Sequence, residues 1–202
     1  MKATIIQKIE AAKVVAIIRS ENSLDVRPVI ETLIKSGIKA LEITSNTPDY
    51  CEHISWAREQ FPEILTGAGT IISEALAEEA CRAGAQFLVT PNMDPEVIAV
   101  AKKAGIATLM GAMTPTEIAT GLKHGADFIK IFPAGSLGIA YFKALLGPFR
   151  GTKFIAVGGI NAANAAEWLA AGAVGIGVGG SLTSGTAADL ENAVKELLAQ
   201  IQ

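Results

Sequence analysis

The stretch HGADFIKIFPA, residues 124–134, contains the pattern that decides the fold. A helix-like segment ends in a small residue or a histidine and then a glycine, and a short apolar run follows at once. The glycine stands where a helix C′ residue adopts the left-handed conformation, and the run has the length of a strand buried on both faces. The stretch therefore predicts a joint between a helix and a strand, with Lys130 inside the strand.

The same joint recurs four more times along the chain. The other copies are SGIKALEIT (36–44), AGAQFLVTP (83–91), AGIATLMGA (104–112) and AGAVGIGVG (171–179). Each of the two long intervals between copies contains one further helix and strand, and the run KVVAIIR adds a strand near the N-terminus. The predicted strands cover residues 13–18, 39–44, 64–68, 86–90, 106–110, 127–132, 153–157 and 174–178.

Alternating strands and helices predict parallel strands joined by right-handed crossovers. Eight such units favour a closed (β/α)8 TIM barrel, preceded by a short helix at residues 3–11, although an open doubly wound sheet would produce similar local patterns. The length of 202 residues lies at the lower end of the range for such a barrel, and no Pro/Gly/Ser-rich linker interrupts the chain. We therefore expect a single domain over residues 1–202.

Composition argues against several classes of partner. The net charge is −3 and the basic residues are scattered, which predicts neither a nucleic acid nor an anionic membrane surface as a partner. The N-terminus lacks the apolar core and cleavage site of a signal peptide, and no apolar run is long enough to span a bilayer, so we expect a cytoplasmic protein. Cys51, Cys81, His53 and His124 fall on predicted helices without ligand spacing, which predicts buried free thiols and no metal.

Two ionisable residues lie inside apolar strands. Burial of Lys130 would disfavour the ammonium and leave a nucleophilic amine that could form a Schiff base with a carbonyl. Glu42, in ALEIT, could move protons during such a reaction. The alternative for the pair is a plain ion pair in the barrel mouth.

The carboxyl ends of the other strands also carry candidate binding groups. Arg19 could hold a carboxylate or phosphate with two parallel hydrogen bonds, or could simply be solvated. The segment GAGT, which ends at Thr70, would let backbone amides approach a carboxylate, although a tight turn would use the same residues. Glycines follow both of the last two strands, at 158–159 and 179–180, where barrels of this kind often bind phosphate.

Seven motifs in order resemble the bacterial aldolases acting on 2-keto-3-deoxy-6-phosphogluconate and 4-hydroxy-2-oxoglutarate. The motifs are VVAIIR, GIKALEIT, GAGT, TPN, FIKIFPA, VGGI and VGGSL, and together they cover essentially the whole chain. The resemblance implies a (β/α)8 barrel, usually a homotrimer, that needs no cofactor. It also implies class I reversible cleavage of a 2-keto-3-deoxy-6-phospho sugar acid to pyruvate and glyceraldehyde 3-phosphate. Cleavage of 4-hydroxy-2-oxoglutarate to pyruvate and glyoxylate is a second activity that the resemblance brings into consideration.

Site roles follow from the same resemblance. Lys130 would be the Schiff-base lysine, and Glu42 would be the general acid and base acting through water. The implied substrate-binding residues are Arg19 and Thr70 for the carboxylate end, Pro91 and Phe132 for the shape of the pocket, and Gly159, Gly180 and Ser181 for the phosphate.

One motif departs from the family pattern. The family signature after the glutamate is E-[IV]-T-[LFY]-R, whereas this chain has Ser45 and Asn46 in the last two places. The stretch SNTP, with TPN at 90–92, is more similar to the aldolases for the C4 epimer, 2-keto-3-deoxy-6-phosphogalactonate, so both epimers remain candidates. The other hypotheses are an isomerase or epimerase in which Glu42 transfers a proton, and a phosphosugar-binding protein without turnover.

Overall fold

Eight parallel strands pair in chain order, and the last pairs with the first to close a barrel. The computed structural model describes residues 2–201. The strands are β1 Val14–Ile18, β2 Ala40–Thr44, β3 Leu65–Gly69, β4 Phe87–Val89, β5 Ala107–Ala112, β6 Phe128–Ile131, β7 Phe154–Val157 and β8 Gly175–Val178. Each overlaps its predicted segment, so the (β/α)8 barrel is confirmed and the open sheet is wrong.

The helices alternate with the strands, as the sequence predicts. They are α1 Lys2–Ala12, α2 Ser23–Lys35, α3 Tyr50–Gln60, α4 Glu74–Arg82, α5 Pro95–Ala104, α6 Pro115–His124, α7 Ala134–Leu146, α8 Ala165–Ala170, α9 Gly180–Thr183 and α10 Ala187–Gln200. The N-terminal helix is confirmed, and α9 is a short additional helix that the repeat did not predict. None of the helices in residues 2–201 is long and apolar enough to cross a membrane.

The joint at Gly125 shows why the repeated glycine marks the strand that follows. Its φ is +88°, a conformation that L side chains rarely adopt, and its N–H bonds the carbonyls of Gly121 and Leu122 at the end of α6. The helix ends there, and β6 begins three residues later. This joint sets where along the barrel axis Lys130 lies.

Apolar side chains pack in two layers, one inside the barrel and one between strands and helices. Ala40 of β2 and Phe128 of β6 belong to the inner layer, whereas their neighbours Leu41 and Ile129 belong to the outer one. Since side chains alternate along a strand, Glu42 and Lys130 share the inward direction of Ala40 and Phe128. Helix α1 contributes Ile5 and Ile9 to the inner layer.

The cysteines lie on helices, as predicted, but they are less buried than predicted. Cys51 of α3 and Cys81 of α4 are free thiols, and both are only partly buried. Trp168 of α8 does pack in the core, with its ring 5.6 Å from that of Phe142. These side chains lie on the outside of the barrel wall and do not contribute to its mouth.

Candidate active site

The two buried ionisable residues occupy neighbouring parts of the barrel interior. Lys130 is 5% exposed and Glu42 is 3% exposed. The Lys130 ammonium lies 4.9 Å from the centroid of the Phe132 ring. Within residues 2–201 the lysine and the glutamate form no direct ion pair, although their charges affect each other.

Burial shifts the pKa values of both groups in the direction that favours the uncharged amine and the uncharged carboxyl. Desolvation lowers the pKa of Lys130, the nearby Glu42 charge opposes this, and Arg19 reinforces it. Desolvation likewise raises the pKa of Glu42, against the effects of Lys130 and Arg19. A neutral amine is a nucleophile and a neutral carboxyl is a proton donor, so the pair can supply both groups to one carbonyl.

The Glu42 side chain occupies the space that a side chain at position 69 would otherwise fill. A Cβ built at Gly69 would overlap the carboxyl group and the Cγ of Glu42. The two strands are adjacent, with Glu42 of β2 in register with Gly67 of β3. The second glycine of GAGT is therefore required by close approach of a side chain, a reason that differs from the backbone turn considered in the sequence analysis.

Thr70 is held in an unusual backbone conformation beside Arg19. Its φ is +56°, which is uncommon for a β-branched residue and marks local strain of the kind found at functional sites. The Arg19 Nη2 donates to Thr70 Oγ1 at 3.3 Å. Ser45 Oγ donates to the Thr70 carbonyl at 2.7 Å, and this stabilises the strained residue from the other side. In the sequence Ser45 stands out only as a departure from a motif, and nothing near it indicates this contact.

A cavity of about 560 Å³ opens beside these residues, at the carboxyl ends of β1, β6, β7 and β8. Its wall contains five of the predicted site residues: Arg19, Phe132, Gly159, Gly180 and Ser181. The other four, Lys130, Glu42, Thr70 and Pro91, do not line it. The Phe132 ring adjoins both sets of residues, because it contacts the Lys130 ammonium and also lines the cavity.

Pro91 contacts β5, the strand that pairs with the strand of Lys130. Its carbonyl lies so close to Gly111 of β5 that a Cβ there would overlap it. Gly111 is in register with Lys130. Pro91 therefore packs against the position of β5 that pairs with Lys130.

The loop after β7 lines the cavity with Gly158 and Gly159. Gly158 and Gly159 have φ values of +93° and +75°, which permit this turn. Within residues 2–201 the N–H groups of Gly159 and Ser181 donate to no protein acceptor. Asn161 and Ser184 also line the cavity and were missed from the sequence, although Asn161 directly follows the VGGI motif.

Carboxylate, imidazole and thiol groups do not converge into a metal site. Across residues 2–201 no cluster of three or more His, Cys, Asp or Glu side chains could hold an ion. The groups that the barrel interior and the cavity do contain are the Lys130 amine, the Glu42 carboxyl, the Arg19 guanidinium and the backbone amides of the glycine loops. These groups fit a carbonyl substrate that carries anionic ends.

The comparison with known families identifies the class of enzyme. A model of the KDPG and KHG aldolase family, named for 2-keto-3-deoxy-6-phosphogluconate (KDPG) and 4-hydroxy-2-oxoglutarate (KHG), matches residues 5–197. The chain belongs to this family. It is thus an aldolase, which is a lyase, and the isomerase or epimerase and the protein without turnover are not supported.

Individual members of the aldolase family are similar over most of their length. The 2-dehydro-3-deoxy-phosphogluconate aldolase of Treponema pallidum is 35% identical over 83% of this chain and 80% of its own. The 2-dehydro-3-deoxy-6-phosphogalactonate aldolase of Escherichia coli is 34% identical over 83% of each chain. A solved KDPG aldolase of Legionella pneumophila, with pyruvate captured as a covalent carbinolamine, aligns over 98% of each chain with a TM-score of 0.87 and 28% identity.

The crowding at Gly69 leads to a prediction for this aldolase. We expect Gly69→Ala to reduce the free energy of unfolding by about 1–3 kcal/mol and to lower aldolase activity, because the new methyl group displaces the Glu42 carboxyl. Chemical denaturation and an aldol-cleavage assay measure the two effects. Gly147→Ala is the matched control, since Gly147 has helical φ and ψ and open space around its missing Cβ. Equal behaviour of the two variants would contradict the prediction.

Proposed function

We propose that this aldolase is a class I enzyme that cleaves a 2-keto-3-deoxy-6-phospho sugar acid to pyruvate and glyceraldehyde 3-phosphate. The observation that carries the proposal is the buried Lys130, whose pKa is lowered by desolvation and which lies beside a buried carboxyl without a direct ion pair. The covalent pyruvate adduct of the Legionella aldolase supports the same chemistry. Residues 1–202 would act as a single aldolase domain.

The proposed reaction uses the Lys130 amine and the Glu42 carboxyl. The Lys130 amine attacks the C2 carbonyl to give a carbinolamine, which loses water to form a protonated imine. The imine accepts the electron pair of the C3–C4 bond when the C4 hydroxyl loses its proton, and the aldehyde leaves. Protonation of the enamine at C3 and hydrolysis of the imine then release pyruvate and restore the amine. Glu42 exchanges these protons, directly or through water.

The cavity accounts for the two anionic ends of the proposed substrate. Arg19 and Thr70 would hold the carboxylate near the lysine, through the guanidinium that already contacts the threonine hydroxyl. Gly159, Gly180 and Ser181 would bind the phosphate through backbone N–H groups and a hydroxyl. Phe132 and Pro91 would shape the space between the amine and these groups.

Substrate stereochemistry is the open choice within this proposal. One relative is named for the gluconate acid and the other for the galactonate acid. Asn46 is exposed and offers no charge where the family signature has arginine, and the SNTP stretch favours the galactonate epimer. We propose the galactonate type as the first substrate to assay, beside the gluconate type and 4-hydroxy-2-oxoglutarate. Assembly as a homotrimer belongs to the same proposal and rests on the family resemblance, and the proposed cytoplasmic location rests on the pattern of the N-terminal sequence.

Reductive trapping tests the imine. We expect incubation with pyruvate and sodium borohydride to give a covalent pyruvate adduct, located on Lys130 by peptide mass spectrometry. Lactate, which has a hydroxyl in place of the C2 keto group, is the control and should give no adduct. A folded enzyme that shows no adduct with pyruvate would rule out the class I mechanism.

The pH dependence of the same step has a definite sign. The amine is populated above its pKa, and burial lowers that pKa, so imine formation should rise with pH below the ordinary lysine value of about 10.5. Deuterium exchange at C3 of pyruvate, followed by NMR, measures this step because the exchange needs the enamine. A rise that appears only near the ordinary lysine value would show that burial does not activate the amine.

A further inference from the structure

Two successive carbonyls of the loop after β7 are held from outside the cavity. The Gly135 N–H donates to the Gly158 carbonyl at 2.8 Å, and Asn164 Nδ2 donates to the Gly159 carbonyl at 2.9 Å. Neither Gly135 nor Asn164 lines the cavity. Both donors that hold these carbonyls therefore belong to residues outside the cavity lining.

Asn164 uses both ends of its amide for this loop. Its Oδ1 accepts from the Asn161 N–H at 3.0 Å while its Nδ2 holds the Gly159 carbonyl. The residue occupies the N-cap position of α8, where asparagine usually accepts from N–H groups of the following turn. Here the side chain makes no such capping bond. The amide is turned back onto the loop, which indicates a role other than starting the helix.

The carbonyls decide where the loop N–H groups point. In a trans peptide the C=O and the next N–H point in opposite directions. Holding the Gly158 and Gly159 carbonyls from outside the cavity lining therefore turns the N–H groups of Gly159 and Ile160 the opposite way, and both residues line the cavity. Glycine tolerates many backbone conformations, so the Gly159–Ile160 peptide needs an anchor to keep its oxygen from facing an anion.

We infer that Asn164 is a positioning residue for phosphate recognition, acting through the Gly159–Ile160 peptide. It touches neither the phosphate nor the reacting atoms. This inference rests on the proposed function, which assigns the phosphate to this loop. It adds a residue outside the cavity whose loss weakens phosphate binding and leaves the imine chemistry at Lys130 intact.

Kinetics with matched substrates test the inference. For Asn164→Ala we expect KM for the phosphorylated sugar acid to rise about tenfold, with kcat within about twofold of the parent. The same sugar acid without its phosphate, and pyruvate exchange, should be unaffected. Asn164→Asp keeps the acceptor for Asn161 and loses the donor to Gly159, so it should be impaired at least as much. Asn192→Ala, at an exposed asparagine of α10, should match the parent.

Several outcomes would overturn the inference. A merely structural role predicts a fall in kcat with both substrates and slower pyruvate exchange, together with a lower melting temperature. Wild-type KM for the phosphorylated acid in Asn164→Ala would also reject it. If the parent formed no pyruvate adduct, the proposed function would fail separately. Calorimetric titration with inorganic phosphate then decides, since an equal affinity in Asn164→Ala, or no binding to the parent, rejects the role of Asn164.

Discussion

Lys130→Ala should abolish the pyruvate adduct and lower kcat/KM for aldol cleavage by at least about 10⁴-fold, because the proposed imine forms on the amine that this change removes. The lysine is buried, and its pKa is lowered by its surroundings. Intact-mass analysis after borohydride reduction and a coupled cleavage assay measure the two effects. Loss of both together would assign the chemistry to this single amine.

Two further variants show whether the loss is chemical. Lys143→Ala removes an exposed lysine from α7 and should retain full adduct formation and activity. Lys130→Met keeps most of the side-chain volume without the amine and should be inactive while unfolding near the temperature of the parent. An adduct that persisted in the folded Lys130→Met enzyme would place the Schiff base on another lysine.

Glu42→Gln should lower kcat for aldol cleavage by about 10²–10⁴-fold, the range expected for losing a general acid and base. Glutamine has nearly the same shape, so it fits the space above Gly69 that a methyl group there would take away. The pyruvate adduct should still form, more slowly, because the nucleophile remains. Stopped-flow cleavage and the rate of reductive trapping separate the two steps.

The control for this variant is Glu31→Gln, at an exposed glutamate of α2, which should behave as the parent. Neutralising Glu42 also removes the negative charge that opposes the lowered pKa of Lys130. The pH dependence of pyruvate exchange should therefore shift to lower pH in Glu42→Gln. Unchanged cleavage together with an unshifted profile would remove Glu42 from the mechanism.

The strands could be predicted because each one follows a local signal. The glycine that ends a helix, as at Gly125, and the apolar run after it are both properties of a few consecutive residues. The same locality explains what was missed. Helix α9 is only four residues long, so it has no room for a periodic apolar face. The burial of Cys51 and Cys81 depends on neighbouring helices, and the pattern around each cysteine does not report it.

Part of the candidate site was also visible in the sequence. Lys130 and Glu42 stand out because each is an ionisable residue inside an apolar strand, and the glycines after β7 and β8 stand out by composition. The side chains that hold the loop carbonyls could not be identified from the sequence. Ser45 and Asn164 have ordinary residue types for loops, and their importance comes from the carbonyls that they reach, at Thr70 and Gly159.

The sequence by itself determined the number and order of the βα units and the residues that stand at the carboxyl ends of the strands. Only the tertiary structure decided that β8 closes on β1, that Lys130 and Glu42 lie together without a direct ion pair, and that the cavity adjoins the lysine through Phe132. The physical reason is the distance along the chain between the residues that interact. Helix ends and strand periodicity arise from neighbouring residues, whereas burial, desolvation and the contacts that support the site arise between residues that packing brings together.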